Sequence, residues 1–192
     1  MSIVLVSGIT GAGKSVLIDK LISTFSEYQR PIAYTTRAER EGESEQFCHV
    51  SDEEMDSLLK DNKLLSHDIV HKNRYALSRY SIEQIINSGK IVIKEFYIMN
   101  LEQIKSNYSC VCSVIIVPSS LDIYNAHIES IKSTKVRSRQ RGKKELSIHQ
   151  EAINQGSADI LIINDFSQSI EEIALVLNIK IKSFFENSST VD

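Results

Sequence analysis

Ile3-Val4-Leu5-Val6-Ser7-Gly8-Ile9-Thr10-Gly11-Ala12-Gly13-Lys14-Ser15 is the stretch whose reading decides the fold. A short apolar run ends in G-x-x-x-x-G-K-S. A helical pattern follows, with Val16, Leu17, Leu21, Ile22 and Phe25 on its apolar side. Strand, glycine-rich loop and helix is the context a phosphate-binding P-loop requires. The glycines let the backbone turn so that successive N–H groups face inward, and the helix that starts near Lys14 adds the positive end of its dipole. Gly8, Ile9, Thr10, Gly11, Ala12, Gly13, Lys14 and Ser15 are therefore the expected triphosphate cradle. Lys14 is the catalytic point charge for the β- and γ-phosphates, and the Ser15 hydroxyl is a ligand for Mg²⁺.

Working outward, apolar runs and capping signals alternate. Ile32 to Arg37 reads as a short strand, and Arg40 to Gln46, charged and glycine-containing, as a loop. Ser51-x-x-Glu54, Ser81-x-x-Gln84, Ser119-x-x-Asp122 and Ser169-x-x-Glu172 each mark a helix start. Leu64-Leu65 and Tyr75-Ala76-Leu77 predict two strands of a small sheet. Ile91 to Ile93, Val111 to Val117 and Asp159 to Ile163 are runs of the kind buried on both faces of a parallel sheet. The pattern predicts an α/β fold: a P-loop, three-layer architecture with right-handed crossovers and ligands at the carboxyl ends of the strands. The expected division is a core of residues 1–32, 81–123 and 156–182, an acceptor-binding lobe of 33–80, a lid of 124–155 and a frayed tail of 183–192.

The 192 residues suit one domain, and the net charge of −3 argues against a general nucleic-acid partner. No apolar run approaches the ~20 residues of a membrane span, and a cytoplasmic protein is expected. Cys48, Cys110 and Cys112 lack zinc spacing and read as free thiols. The five histidines form no metal pattern, and His67 is placed near the acceptor.

Two charged clusters bear on chemistry. In Thr35-Thr36-Arg37-Ala38-Glu39-Arg40-Glu41-Gly42-Glu43 the paired guanidinium groups can clamp a phosphate, or can pair with neighbouring glutamates in a solvated loop. Lys132 to Lys144 holds seven cations and no acid: a solvated face, a nucleic-acid patch or a phosphate-covering lid. Glu95, just after a buried run, reads either as a ligand for Mg²⁺ or the acceptor, or as a structural cap for the following helix.

The P-loop together with Thr35-Thr36-Arg37-x-x-Arg40-x-Gly42-Glu43 resembles the guanylate kinase family of P-loop nucleoside monophosphate kinases. Tyr75 after Lys72-Asn73-Arg74, Gly89 to Ile93, Val117-Pro118-Ser119-Ser120-Leu121 and Ala158 to Asp165 continue the likeness over almost the whole chain. The resemblance implies ATP and Mg²⁺ as cofactors. It makes Arg37, Arg40 and Tyr75 holders of an acceptor phosphate, and Arg137 and Arg141 catalytic lid arginines. At the positions that would read guanine, this chain has Ala33, Ser66, Leu77 and Tyr97, with Phe47 where the family has a tyrosine. Ser66 cannot supply a carboxylate; Asp68 can if the register slips. The expected substrate-binding set is Arg37, Arg40, Tyr75, Ser66, Glu95 and Tyr97, and the expected metal ligands are Ser15 and Glu95.

From these departures we expect an ATP-dependent kinase whose acceptor is a phosphorylated small molecule, nucleotide-like or a sugar phosphate, with guanine reading lost. The alternatives are an ordinary GMP/dGMP kinase and a non-catalytic interaction module of the same fold; the complete P-loop argues against the last.

Overall fold

The computed structural model describes residues 2–39, 47–70, 72–130 and 137–188, without the side chains of Val70 and of 137–141. In chain order the elements are β1 (Ile3–Gly8), α1 (Lys14–Thr24), β2 (Tyr28–Gln29), β3 (Ala33–Thr35), β4 (Phe47–His49), α2 (Asp52–Lys60), β5 (Leu64–Val70) and β6 (Asn73–Ser78). There follow α3 (Arg79–Asn87), β7 (Ile91–Glu95), a 3₁₀ turn (Ile98–Asn100), α4 (Leu101–Lys105) and β8 (Val111–Val117). The chain ends with α5 (Leu121–Ser130), α6 (Arg137–Asn154), β9 (Ile160–Ile163) and α7 (Ile170–Ser188).

The core sheet has the order β2-β7-β1-β8-β9, and every pair in it is parallel. Its strands are apolar on both faces because each face packs on helices. Val4 and Val6 point into one core with Leu17, Ile18 and Leu21 of α1 and Leu177 and Ile181 of α7. Ile3 and Leu5, one residue out of phase, point into the other with Ile82 and Ile85 of α3 and Ile104 of α4. β1, central in the sheet, is thus buried on both sides and holds the P-loop at its carboxyl end.

The second sheet has the order β4-β3-β6-β5 and lies within residues 33–80. Cross-strand pairs set its faces. Phe47, Ala33 and Leu77 form one rung, and His49, Thr35, Tyr75 and Asp68 the next. Residues two apart on a strand share a face, so both rungs lie on one side of the sheet. The opposite face packs Ala76 against Met55 of α2.

Three sequence expectations differ from the structure. α3 begins three residues earlier than Ser81 would set it: Ser78 is the cap, its hydroxyl accepting the Ser81 N–H, while the Ser81 hydroxyl accepts the Ile32 N–H. At α5 the capping hydroxyl is that of Ser120, which accepts from the Ile123 N–H, not that of Ser119. The tail expected to fray from residue 183 is helical to Ser188, with Phe184 and Phe185 against the core. The boxes at Ser51 and Ser169 form as the spacing requires.

Candidate active site

The P-loop is braced by contacts from neighbouring elements. Gly13 caps α1 at φ 85°, a left-handed conformation that a side chain would strain. The Asn164 amide donates to the Ala12 carbonyl at 3.1 Å, and the Tyr124 hydroxyl to the Thr10 carbonyl at 2.9 Å. β9 and α5 thus fix the loop from two sides. Lys14 curls back, its ammonium donating to the carbonyls of Gly8 (2.8 Å) and Ile9 (2.9 Å). Burial lowers its pKa, while the nearby Glu145 and Glu95 carboxylates oppose that shift.

A carboxylate occupies one loop amide. Glu145 of α6 accepts from the Thr10 N–H at 2.6 Å and from the Thr10 hydroxyl at 3.0 Å. One helical turn on, the His149 ring lies 2.8 Å from the Ser7 hydroxyl. Burial lowers the pKa of His149, so the imidazole is held neutral. These contacts fasten α6 across the carboxyl end of β1. The spacing of the cationic run gave no sign of them, because Glu145 and His149 lie beyond its last lysine.

Two cavities meet at the loop. One, of about 520 Å³, runs from Gly11 and Gly13 past Asn164 to His127 and Phe166. The last two rings stack with centroids 3.6 Å apart, a flat wall of the kind a base can lie on. The other cavity, of about 960 Å³, lies between the core sheet and the inner face of the small sheet. Lys14 and Ser15 line both.

Of the expected acceptor residues, Tyr75, Ser66, Glu95 and Tyr97 line the larger cavity. Tyr75 meets Phe47 edge-on at 6.4 Å. Arg37 stands at the rim, its guanidinium 5.7 Å from the centre of the Phe47 ring and donating to the Ala38 carbonyl at 2.9 Å. Arg40, Gly42 and Glu43 lie outside the described residues, and Arg137 and Arg141 are placed only as backbone of α6. Glu95 does not cap the following helix. It faces Arg30 at 3.5 Å; the same guanidinium pairs with Asp19 and donates to the Ser15 carbonyl at 3.2 Å. His67 also lines the larger cavity, as expected, while its Nε2 accepts from Arg74, which pairs in turn with Asp52 and Asp56 of α2.

Sequence reasoning missed Lys94 and Glu145, and took Lys144 only as one cation of a run with three readings; all three line the larger cavity. Lys94 follows the apolar run Ile91 to Ile93 and precedes Glu95, so nothing in the sequence signals that the strand extends over it and buries its side chain. Among the described residues no group of three or more His, Cys, Asp or Glu could by itself hold a metal, and no helix is long and apolar enough to cross a membrane. Cys112 is free and buried, its thiol pushed up to about 12.

A parallel sheet with a P-loop at the end of its central strand, and a second cavity facing that loop, defines an ATP-dependent phosphotransferase of the nucleoside monophosphate kinase class. The family model described as guanylate kinase matches residues 1–180. The chain is 30% identical over 176 residues to a guanylate kinase of Helicobacter pylori (strain ATCC 700392 / 26695), covering 91% of this chain and 84% of that protein. It is 29% identical over 184 residues to a guanylate kinase of Yersinia pestis bv. Antiqua (strain Antiqua), covering 90% and 85%. The crystal structure of guanylate kinase from Anaplasma phagocytophilum superimposes with a TM-score of 0.69 at 20% identity, over 95% of this chain and 85% of that one, and so shares the fold. The chain belongs to the guanylate kinase family.

Proposed function

We propose that this protein transfers the γ-phosphoryl group of ATP to guanosine monophosphate or its deoxy form, as an ordinary GMP kinase. The relatives carry that name over most of their length, and they favour it over the acceptor without guanine reading that the altered positions suggest. One observation carries the reading: two cavities share Lys14 and Ser15, so donor and acceptor meet at one cation.

The donor would lie in the smaller cavity, its phosphates on the amides of residues 8–15. The Glu145 carboxylate on the Thr10 N–H supports this, since it already presents an anionic oxygen to one loop amide. On donor binding Lys14 would leave the Gly8 and Ile9 carbonyls for the phosphates. The Ser15 hydroxyl and the Glu95 carboxylate are oxygen donors of the type Mg²⁺ takes, and the ion would supply charge neutralisation between the phosphates.

Arg37, Arg40 and Tyr75 would hold the acceptor's phosphate, and Arg137 and Arg141 would cover the transferring group. In-line attack by a phosphate oxygen needs no strong base, because the acceptor is already ionised. The work of these residues is positioning and charge stabilisation. Release of ADP from ATP with a panel of nucleoside monophosphates and sugar phosphates tests the proposal. GMP and dGMP should stand well above the rest, and a sugar phosphate in first place would refute it.

A further inference from the structure

We propose that Lys94 and Asp68 read the base of the acceptor: the ammonium donates to the O6/N7 edge of guanine, and the carboxylate accepts from its N1–H and 2-amino group. This rests on the reading of the acceptor as GMP; Lys94 lies outside the substrate set named above, and Asp68 entered it only as a conditional substitute for the carboxylate missing at Ser66.

Lys94 projects from β7 into the cavity between the two sheets. It is 4% exposed, and its Nζ has no hydrogen-bond partner among the described residues. The ammonium lies 4.7 Å from the centre of the Phe47 ring. A buried lysine with no acceptor is costly to the fold and is best explained by a ligand group that completes it. The rung it faces, Phe47–Ala33–Leu77, offers no side-chain hydrogen-bonding group. An acceptor atom on a base entering there would find its donor in Lys94.

Asp68 reaches the cavity through a break in register. At its start β5 pairs Leu64 with Ser78, but from His67 onward the pairing has moved by one residue, so that Asp68 stands opposite Tyr75. Had the first register persisted, Asp68 would stand opposite Arg74 and face α2. The bulge turns it to the cavity side, on the same face as Ser66. The Asn100 amide donates to one carboxylate oxygen, which fixes the group and leaves further acceptor positions free. Burial raises its pKa, as expected of a carboxylate awaiting a donor.

A lysine can only donate and an ionised aspartate can only accept. Guanine presents O6 and N7 as acceptors and N1–H and the 2-amino group as donors. Adenine puts a donor amino group at position 6 and an acceptor at N1. The pair fits the first arrangement and opposes the second.

The test is KM and equilibrium binding for GMP, IMP and AMP in wild type, Lys94→Met and Asp68→Asn, with thermal midpoints as a check on folding. Lys94→Gln, which keeps a donor, is the conservative control. Lys94→Met should cut the preference for GMP over AMP by roughly 10- to 100-fold while leaving the GMP/IMP ratio unchanged, because IMP keeps O6 and N7. Asp68→Asn should instead collapse the GMP/IMP ratio, and Lys94→Gln should recover part of the loss. Equal weakening of all three nucleotides in Lys94→Met, or no change, overturns the assignment while the GMP reading stands. Failure of the wild-type protein to bind or use GMP overturns that reading, and this one with it.

Discussion

At neutral pH Lys94 keeps its positive charge although it is 4% exposed and lacks a hydrogen-bond partner among the described residues. Burial pushes its pKa down to about 8, from an ordinary 10.5. Below pH 8 the lysine is protonated in both states, and the folded chain carries the full cost of the buried charge. Between about 8 and 10.5 the unfolded chain binds more protons, so stability rises with pH. At ~1.4 kcal/mol per pKa unit the relief is at most about 3 kcal/mol. Denaturant unfolding of wild type and Lys94→Met should therefore converge above pH 10 and differ most at pH 7, with the variant more stable. Parallel curves would show that the ammonium is solvated after all. Lys14→Ala, by contrast, should lower kcat by orders of magnitude with circular dichroism unchanged, since its partners are carbonyls of its own loop; turnover at the wild-type rate would exclude it from the chemistry. The P-loop residues were legible in sequence because their spacing has a mechanism. Lys94 and Glu145 were not, because burial is a property of the packed sheets; Asp68 was legible only as a conditional substitute for the carboxylate missing at Ser66, since the β5 bulge that turns it inward leaves no mark in the sequence.

Helix ends show how far local chemistry carries. The reciprocal box at Ser51 and Glu54 forms as the spacing demands, and Ser51→Ala should cost about 1 kcal/mol, read as a lower thermal midpoint. At α3 and α5 two serines compete in each case, and the sequence alone picked the wrong one. Tertiary hydrogen bonds decide: Ser81 is taken by β3's entry at Ile32, and the Ser119 N–H donates to Asp165. α6 sets two effects against each other at Gly142. Alanine would gain about 1 kcal/mol of helix propensity. A Cβ at that position would collide with the ring of Tyr124, whose hydroxyl holds the Thr10 carbonyl. Overpacking of a filled contact costs ~1–3 kcal/mol, so the clash should win. Gly142→Ala is expected to lower the thermal midpoint and raise KM for ATP; a more stable variant with normal ATP affinity would show that the two helices can separate without consequence.

Across the whole molecule, the parallel character of the core sheet followed from apolar runs alternating with helices, while its order β2-β7-β1-β8-β9 did not; both cavities lie at the strand ends where such sheets bind ligands. The mixed pairing of the small sheet was beyond sequence reading: β3 is three residues long, and its parallel partner β4 lies across the charged loop. If the cavities take ATP and GMP, each ligand at 100 times its Kd should stabilise the protein by ~2.7 kcal/mol, shifting the midpoint by roughly 5–10 °C. Lys14→Ala should erase most of the ATP shift and spare that of GMP. Loss of both shifts together would mean that the two sites are not separable.

The lone ammonium under Phe47 also bears on inhibitor design. A nucleotide mimic carrying a carboxylate or sulfonamide where the base's O6 would fall could form an ion pair there, out of reach of water. Against a kinase whose cavity is wholly apolar at that spot, the same compound would be penalised for its charge, so selectivity would come from a position that conventional purine analogues leave unused.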